Sequence, residues 1–572
     1  MRRIVAVSLL ALGVAVIVDA RTSPLQHHHR VVDESQGSHP AGAGTGNVVS
    51  GLPAVAARGP TAEWVVRENG RAGTSAWRIE GRQHAGDLEG FANLVSAVQG
   101  DSVDLYVSTV ATSFRVEAYR MGYYGGAGGR LIWSSAPVTG RRQSSTRFDD
   151  ATNRIEADWQ PSLRLHVDRS WLPGTYLLKL VGSSGQQQYV PLTVRDDAST
   201  AAYVVQDSVT TWQAYNLWGG YSLYYGKHGT KSDFAHRSRV VSFDRPYAQG
   251  DGSGEFLNNE LPLVSLVESL GLDVTYWTDL DLHQHPERLL AHRALLSLGH
   301  DEYWSSAMRT GAETARDHGV NLAFLGANAV FRHIRFEGSA LGPDRHEVDY
   351  KVAHEDPLAS TDPAEVTSQW REPPVPRPEN ALIGELYECN PVKADLVVVD
   401  AQAWEFAGTG LTDGEHLHEV VGQEYDHYVP GPHTPAGVQI LAHSPVRCHA
   451  HASFADMTYY AAPSGAGVFA TGTNWWIGKL GPPCADSPCV GEVLTTITAN
   501  VLAAFGAGPA GLQHPSSSNY AELPHAAHPG TSGTTPTFTA RRTSSTVPSR
   551  SARVTTTPLP HHGVTSTPPR SR

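Results

Sequence analysis

Residues 295–309 read LLSLGHDEYWSSAMR, an apolar run that ends in Gly299-His300-Asp301-Glu302-Tyr303 and passes into a helical pattern. Trp304, Ala307, Met308, Gly311 and Ala315 recur at helical spacing, so the segment after the turn has one face to bury. A buried strand followed by such a helix puts the turn at the strand's carboxyl end. In open α/β sheets ligands bind there, because strand ends and helix amino termini leave unpaired backbone donors around a crevice. Four side chains able to move protons or bind metal are thus set on one turn. The plainer reading is a polar turn with a packed tyrosine.

Other apolar runs have the same form: YVVQ (203–206), LDVTYW (272–277), RALLSL (293–298, leading into the same turn), VNLAFLG (320–326), DLVVVD (395–400) and AGVFATG (466–472). The segments between them are long enough for crossover helices. The expectation over 200–508 is therefore an α/β domain, a mostly parallel sheet flanked by helices in the amidotransferase-like manner. Most of the runs end in polar groups. Asp207 and Trp212 to Asn216 follow the first, Asp279 and Asp281 the second, Asn328 the fourth and Thr473-Asn474 the last. His300, Glu302 and Asn328 are the candidate catalytic residues of the implied crevice, with Trp212, Tyr215, Asn216 and Asp279 as candidate substrate contacts.

Ahead of this region, residues 60–198 carry short alternating runs such as SVDLYVST (102–109), FRVEAYRM (114–121) and GTYLLKLVG (174–182), with no helical run between them. That pattern predicts a β-sandwich. The glycines of RMGYYGGAGGR (120–130) permit positive φ, so this is a shaped turn, its tyrosines suited to packing against the neighbouring domain.

The two ends differ in character from the body. Arg2 and Arg3, an apolar run to Val18 and Val18-Asp19-Ala20 predict a signal peptide over 1–20, with a retained amino-terminal anchor as the alternative. A Gly, His and Ser-rich linker over 21–59 and a Ser, Thr and Pro-rich tail over 511–572 read as disordered. No later stretch reads as a membrane span, so membrane contact is expected only through an uncleaved amino-terminal segment. The location expected is secreted or cell-surface. Export makes disulfides the default for Cys389, Cys448, Cys484 and Cys489. A local Cys484–Cys489 bridge would leave Cys389 for Cys448, although three connectivities are open. A formal charge of −13 with no basic stripe disfavours nucleic acid as a partner.

The chain has no Gly-x-Ser-x-Gly elbow and no cysteine at a strand end, which disfavours serine and cysteine hydrolysis. What remains is metal ligation by oxygen and nitrogen, or metal-free acid/base work by His300 and Glu302. Tyrosinate favours iron over zinc. The acidic clusters Glu415 to Glu419 and Gln423-Glu424-Tyr425-Asp426 could ligate calcium or a transition metal, and a solvated loop after Gly408-Thr409-Gly410 explains them equally well.

Taken together, RMGYYGGAGGR (120–130), SWLPGTYLLKL (170–180), TWQAYNLWGGYSLY (211–224), FDRPY (243–247), YWTDLDLH (276–283), GHDEYW (299–304), NLAFLGAN (321–328) and VFATGTNWW (468–476) resemble the large (beta) subunit of N,N-dimethylformamidase and proteins sharing its carboxyl-terminal domain. The resemblance implies an amidase acting on a small formamide, with one iron ion held by two tyrosines and a glutamate. Tyr303 matches one tyrosine and Glu347 the glutamate. The segment matching the second tyrosine reads ELPLVSLVESLG and has none, so Tyr276 and Tyr215 stand in only by proximity. Two function classes follow. One is a hydrolase of a carbon–nitrogen bond in a small amide. The other is an exported, non-catalytic protein whose crevice binds a cell-envelope or carbohydrate ligand, its tryptophans available for ring stacking.

Overall fold

The computed structural model describes residues 59–228, 231–482 and 489–524. The expected signal peptide, nearly all of the linker, the tail beyond 524 and Cys484 of the expected Cys484–Cys489 bridge lie outside these residues.

Between residues 88 and 195 two sheets share a core. One has three antiparallel strands, in the order Leu88–Ala92, Ser102–Thr109, Leu163–His166. The other is built around Gly174–Gly182, paired antiparallel with Ser113–Met121 and Gln187–Arg195. Val103, Leu105 and Val107 from the first meet Val116, Leu178, Leu180, Val190 and Leu192 from the second. Alternation along each strand sends these side chains inward and their neighbours outward.

A seven-stranded sheet follows, in which Val274–Thr278, Tyr203–Asp207, Ala294–Gly299, Asn321–Gly326 and Gly467–Ala470 run parallel. His451–Ala461 and Gln439–Cys448 add to it antiparallel. The parallel strands are apolar throughout because both faces are covered. Their shared polarity brings Asp207, Thr278, Gly299 and Gly326 to one edge. Gly299 and Gly326 lie opposite one another there, and a Cβ on Gly326 would fall 1.4 Å from the Gly299 carbonyl oxygen, so only glycine fits.

The expected mostly parallel, amidotransferase-like α/β architecture is corrected. The chain is 36% strand and 23% helix, in several mixed and antiparallel sheets. The difference arises after residue 330, where the chain forms antiparallel pairs, Arg332–Ser339 with Gly342–Val348 and Leu386–Val397 with His416–His427, rather than crossover helices. DLVVVD begins within the last of these pairs and is not a parallel strand. Tyr303–Ser305, expected in a turn leading to a helix, is a short strand parallel to Arg332–Ser339, and the helix Ser306–Asp317 starts only after it.

The two sheet systems are joined by buried charge. The Arg120 guanidinium pairs with both oxygens of Glu268, which also accepts from Tyr276 Oη at 2.7 Å and Asn69 Nδ2 at 2.8 Å. The glycine-rich turn after Arg120 carries Tyr124, whose hydroxyl donates to Glu68. Helix Val490–Ala507 is long and apolar enough to cross a membrane, but Val493, Leu494, Ile497, Val501, Leu502 and Phe505 are buried in the core. Residues 511–524, expected to be disordered, lie against the Gln439–Cys448 edge strand. Asn519 exchanges two hydrogen bonds with the Ile440 backbone, which protects that edge.

Cys389 is bonded to Cys448, 59 residues apart in sequence. Closing a loop of that length restricts the unfolded chain, so replacing both cysteines by alanine is expected to cost about 2–4 kcal/mol. Denaturant unfolding of wild type and the double variant measures it. Peptide mapping without reductant should recover the 389–448 link.

Candidate active site

The chain leaves the Ala294–Gly299 strand through Gly299 at φ 57°, a left-handed conformation that re-aims the next residues. Glu302 is then pinned by its backbone: its N–H donates to Thr211 Oγ1, and its carbonyl accepts from the amides of Phe331 and Arg332. Across from it, Asn328 and Val330 also have positive φ, at 57° and 56°. Such a conformation in a β-branched residue stores strain, which the amide of Val330 offsets by bonding to the Asp301 carbonyl. This strained loop sets Asn328 and Arg332 beside Glu302.

One side of Glu302 is a ladder of phenols. Tyr215 Oη donates to Glu302 Oε2 at 2.8 Å, Tyr224 Oη to Tyr215 Oη at 2.8 Å, and Tyr303 Oη to Tyr224 Oη at 2.7 Å. Tyr224 also lies 3.0 Å from Glu302 Oε2. Lys351 Nζ closes the far end, donating to Tyr303 Oη at 2.6 Å and sitting 3.9 Å from the centre of the Tyr224 ring. A carboxylate only accepts, so the phenols donate toward Glu302, while burial and the neighbouring Arg332 lower the Lys351 amine to about 7. Tyr303 is fully buried. Burial, with the Glu302 charge nearby, raises its phenol, so it keeps its proton.

On the other side is His300, 7% exposed, with Nε2 3.5 Å from both Glu302 Oε2 and Glu424 Oε2 and Nδ1 3.7 Å from Glu255. Burial alone would lower the imidazole, but Glu424 and Glu255 outweigh it and hold it well above its usual range. Burial likewise works to raise Glu424, yet the charge of His300, 3.5 Å away, with bonds from Asn390 and Asn328, keeps it below the ordinary range. Glu302 is raised by burial, with Lys351 and His300 pulling the other way. At neutral pH the site therefore holds an imidazolium beside an ionised Glu424. His300 Nε2, Glu424 Oε2, Asn328 Oδ1 and Arg332 Nε are all buried without a hydrogen-bond partner. Buried polar atoms are almost always satisfied, so four orphans in one wall mark a place for water or substrate.

Asp426 lies just beyond, accepting from the Asn328 amide at 2.7 Å, and burial pushes its carboxyl up to about 7. A folded-state pKa above the unfolded value of about 4 contributes stability that is complete below about pH 4 and lost as pH rises through about 7. Asp426→Asn mimics the protonated form and lacks that loss. The variant is expected to match wild type near pH 4 and to exceed it by about 2–4 kcal/mol at pH 8, read from denaturant midpoints. A constant difference across that range would contradict the assignment.

Of the residues singled out from sequence, the fold brings together His300, Glu302, Tyr303, Tyr215 and Asn328. Glu347 is close by. Neither of its buried oxygens has a partner, and it faces Asp349, Lys351, Arg245 and Glu302. The others are placed elsewhere. Trp212 donates to Glu260 and borders a cavity of about 30 Å³ with Phe91, Val190 and Tyr247. Asn216 ties Gln213 to the Pro246 carbonyl. Asp279 accepts from Gln206 and Thr210, and Thr210 also reaches the Tyr303 carbonyl, so this aspartate supports the turn from below. Tyr276 belongs to the Glu268–Arg120 cluster. Tyr224, Glu424, Arg332 and Lys351 were not singled out. Tyr224 ends the quoted TWQAYNLWGGYSLY segment, and Glu424 lies in the QEYD cluster, weighed as metal ligands or a solvated loop, which is part of a strand with Glu424 buried.

The fold brings together part of the ligand set assigned to the implied iron. Tyr276 is bound to Glu268 and does not share a site with Tyr303, whereas Tyr215, the other stand-in, joins Tyr224, Tyr303 and Glu302, phenol and carboxylate oxygens of a kind that could hold such an ion. Among the described residues, one cluster of His, Asp and Glu with ligand atoms within 4.8 Å of one another is Glu156, Asp244 and His346, outside this site. Asp244 there pairs with Arg345. Trp212, Trp277, Trp304, Trp370 and Trp476 are buried, so their faces are not open to a sugar ring.

A family model described as N,N-dimethylformamidase beta subunit-like, C-terminal, matches residues 115–487, well over half of the chain. No curated protein matches the sequence. Among solved structures, the chain aligns with a Paenibacillus sp. cycloisomaltooligosaccharide glucanotransferase complexed with cycloisomaltoheptaose. Identity is 8%, with 55% of this chain and 62% of that one covered, and the TM-score of 0.15 carries no argument about either fold or activity.

Proposed function

The chain belongs to the N,N-dimethylformamidase beta subunit-like, C-terminal family, and on that premise we propose that it hydrolyses the carbon–nitrogen bond of a small amide at the Glu302 cluster. The observation that carries the reading is the set of unpartnered buried atoms, His300 Nε2, Glu424 Oε2, Asn328 Oδ1 and Arg332 Nε, facing the family's acidic turn. Ionised Glu424 and the Asn328 carbonyl hold a water, and Glu424 takes its proton as the oxygen bonds to the amide carbon. Arg332 Nε offers a donor to the oxygen on which negative charge develops. Protonated His300 then gives its proton to the departing nitrogen as the carbon–nitrogen bond breaks, leaving a carboxylic acid and an amine. Glu424 returns its proton to His300 directly or through water, which restores the starting state.

The Cys389–Cys448 disulfide supports an exported location, since such bonds persist in oxidising compartments. The test is a panel of formamides and acetamides with increasing nitrogen substitution, scored for amine and carboxylate released in equal amounts. Turnover of at least one small member by purified full-length protein supports the reading. No release from any member contradicts it.

A further inference from the structure

We infer that Glu388, His427 and His451 form a binding site for a divalent transition-metal ion of the zinc type, on the other face of the strand that carries Glu424. The three side chains come from three strands, Leu386–Val397, His416–His427 and His451–Ala461. Glu388 Oε2 lies 3.3 Å from His427 Nδ1, and Oε1 lies 3.2 Å from His451 Nε2. Zinc bonds of about 2.0–2.2 Å in a tetrahedral shell put neighbouring ligand atoms roughly 3.3–3.6 Å apart, so each pair already stands near one edge of such a shell. The imidazoles approach different oxygens of the carboxylate. A shared ion therefore requires the His451 ring to turn, which its 58% exposure permits. Tyr425 and His427 alternate along the strand with Glu424 and Asp426, which sets the cluster apart from the Glu302 site.

The surroundings suit a bound cation. Among the described residues no lysine or arginine pairs with Glu388, whose partners are the two imidazoles and the Ser453 hydroxyl. Tyr425 Oη, beside Glu388 and Ser453, is buried and has no hydrogen-bond partner. Buried hydroxyls are almost always satisfied, and a water on the ion would serve this one. The tighter cluster of Glu156, Asp244 and His346 lacks such an opening, since Arg154 and Arg345 already pair with its carboxylates. Covalent structure prepares the Glu388 site as well. Cys389 follows Glu388, and Cys448 stands opposite His451 where the Gln439–Cys448 and His451–Ala461 strands meet. The disulfide thus holds His451 near Glu388 before any ion binds, which lowers the ordering cost of binding. Two imidazoles and a carboxylate leave a fourth position for water, and they favour zinc over calcium and magnesium, which prefer oxygen alone.

The inference does not depend on the amidase reading, because its test reads metal rather than turnover. The chain has 28 histidines, so the test counts the equivalents lost when this cluster is changed rather than zinc binding alone. Full-length wild type, His451→Ala and Glu388→Gln are stripped with chelator, dialysed without reductant and titrated calorimetrically with zinc. His451 is exposed and glutamine keeps the shape of Glu388, so at least one variant should fold, which circular dichroism checks. Wild type is expected to bind about one equivalent of zinc that the folded variants do not. Zinc should also raise its thermal midpoint by more than theirs. Cobalt in place of zinc should give wild type a visible band that the variants lack, and a matched concentration of calcium should not remove it. Equal zinc equivalents and equal midpoint shifts in wild type and the folded variants would overturn the inference. So would a cobalt band that calcium abolishes.

Discussion

His300→Gln is expected to slow amide hydrolysis by about a hundredfold to ten-thousandfold, the usual contribution of a positioned proton donor. Glutamine keeps hydrogen-bonding capacity between Glu302 and Glu424, each 3.5 Å from the imidazole, but it cannot deliver a proton to a leaving amine. The loss should fall on kcat, with KM little changed, because the imidazolium acts as the bond breaks rather than in holding the substrate. Substrates with a better leaving nitrogen should lose less. Alanine would be a poorer test, since two buried carboxylates would be left without their cation and the fold would suffer with the chemistry. A variant that keeps wild-type kcat would remove His300 from the reaction.

The largest loss of stability is expected at Arg120→Ala. Arg120 and Glu268 have no solvent exposure, and the guanidinium also donates to the Pro173 carbonyl and to Tyr124 Oη. Removing one partner of a buried pair leaves an uncompensated charge, which costs about 3–5 kcal/mol. Tyr276 and Asn69 would still donate to Glu268, so the cost should sit within that range rather than above it. Adding Glu268→Gln should recover part of the loss, because the remaining group is then neutral. Denaturant midpoints of the single and double variants measure both effects. A change under about 1 kcal/mol for Arg120→Ala would mean that the pair does not join the two sheet systems energetically.

Apolar runs were the legible part of this chain. YVVQ, LDVTYW, RALLSL, VNLAFLG and AGVFATG are covered on both faces, and a continuous hydrophobic run is what that burial requires. The antiparallel region was not legible, because Leu386–Val397 and His416–His427 mix buried and polar positions irregularly and contain register shifts that break the alternation. The same limit hid half of the site. His300, Glu302 and Tyr303 stand at the end of an apolar strand and could be found by position. Glu424 and Lys351 are buried charges within polar stretches, where periodicity carries no signal and only the contact across the sheet reveals them. Tyr224 was within reach, nine residues after Tyr215 in a quoted motif, but nothing in spacing alone shows that a turn at Gly219 and Gly220 folds one ring onto the other at 4.4 Å.

The most direct measurement is the amine released per molecule of purified wild type and of Glu424→Gln, on the best substrate of the amide panel at neutral pH, with both proteins shown to be folded. Glu424 is the one group placed to take the proton from water, and glutamine keeps its shape without its basicity. Turnover by wild type and a loss of about a hundredfold or more in the variant is the expected result. Equal turnover by the two proteins would contradict hydrolysis at the Glu302 cluster.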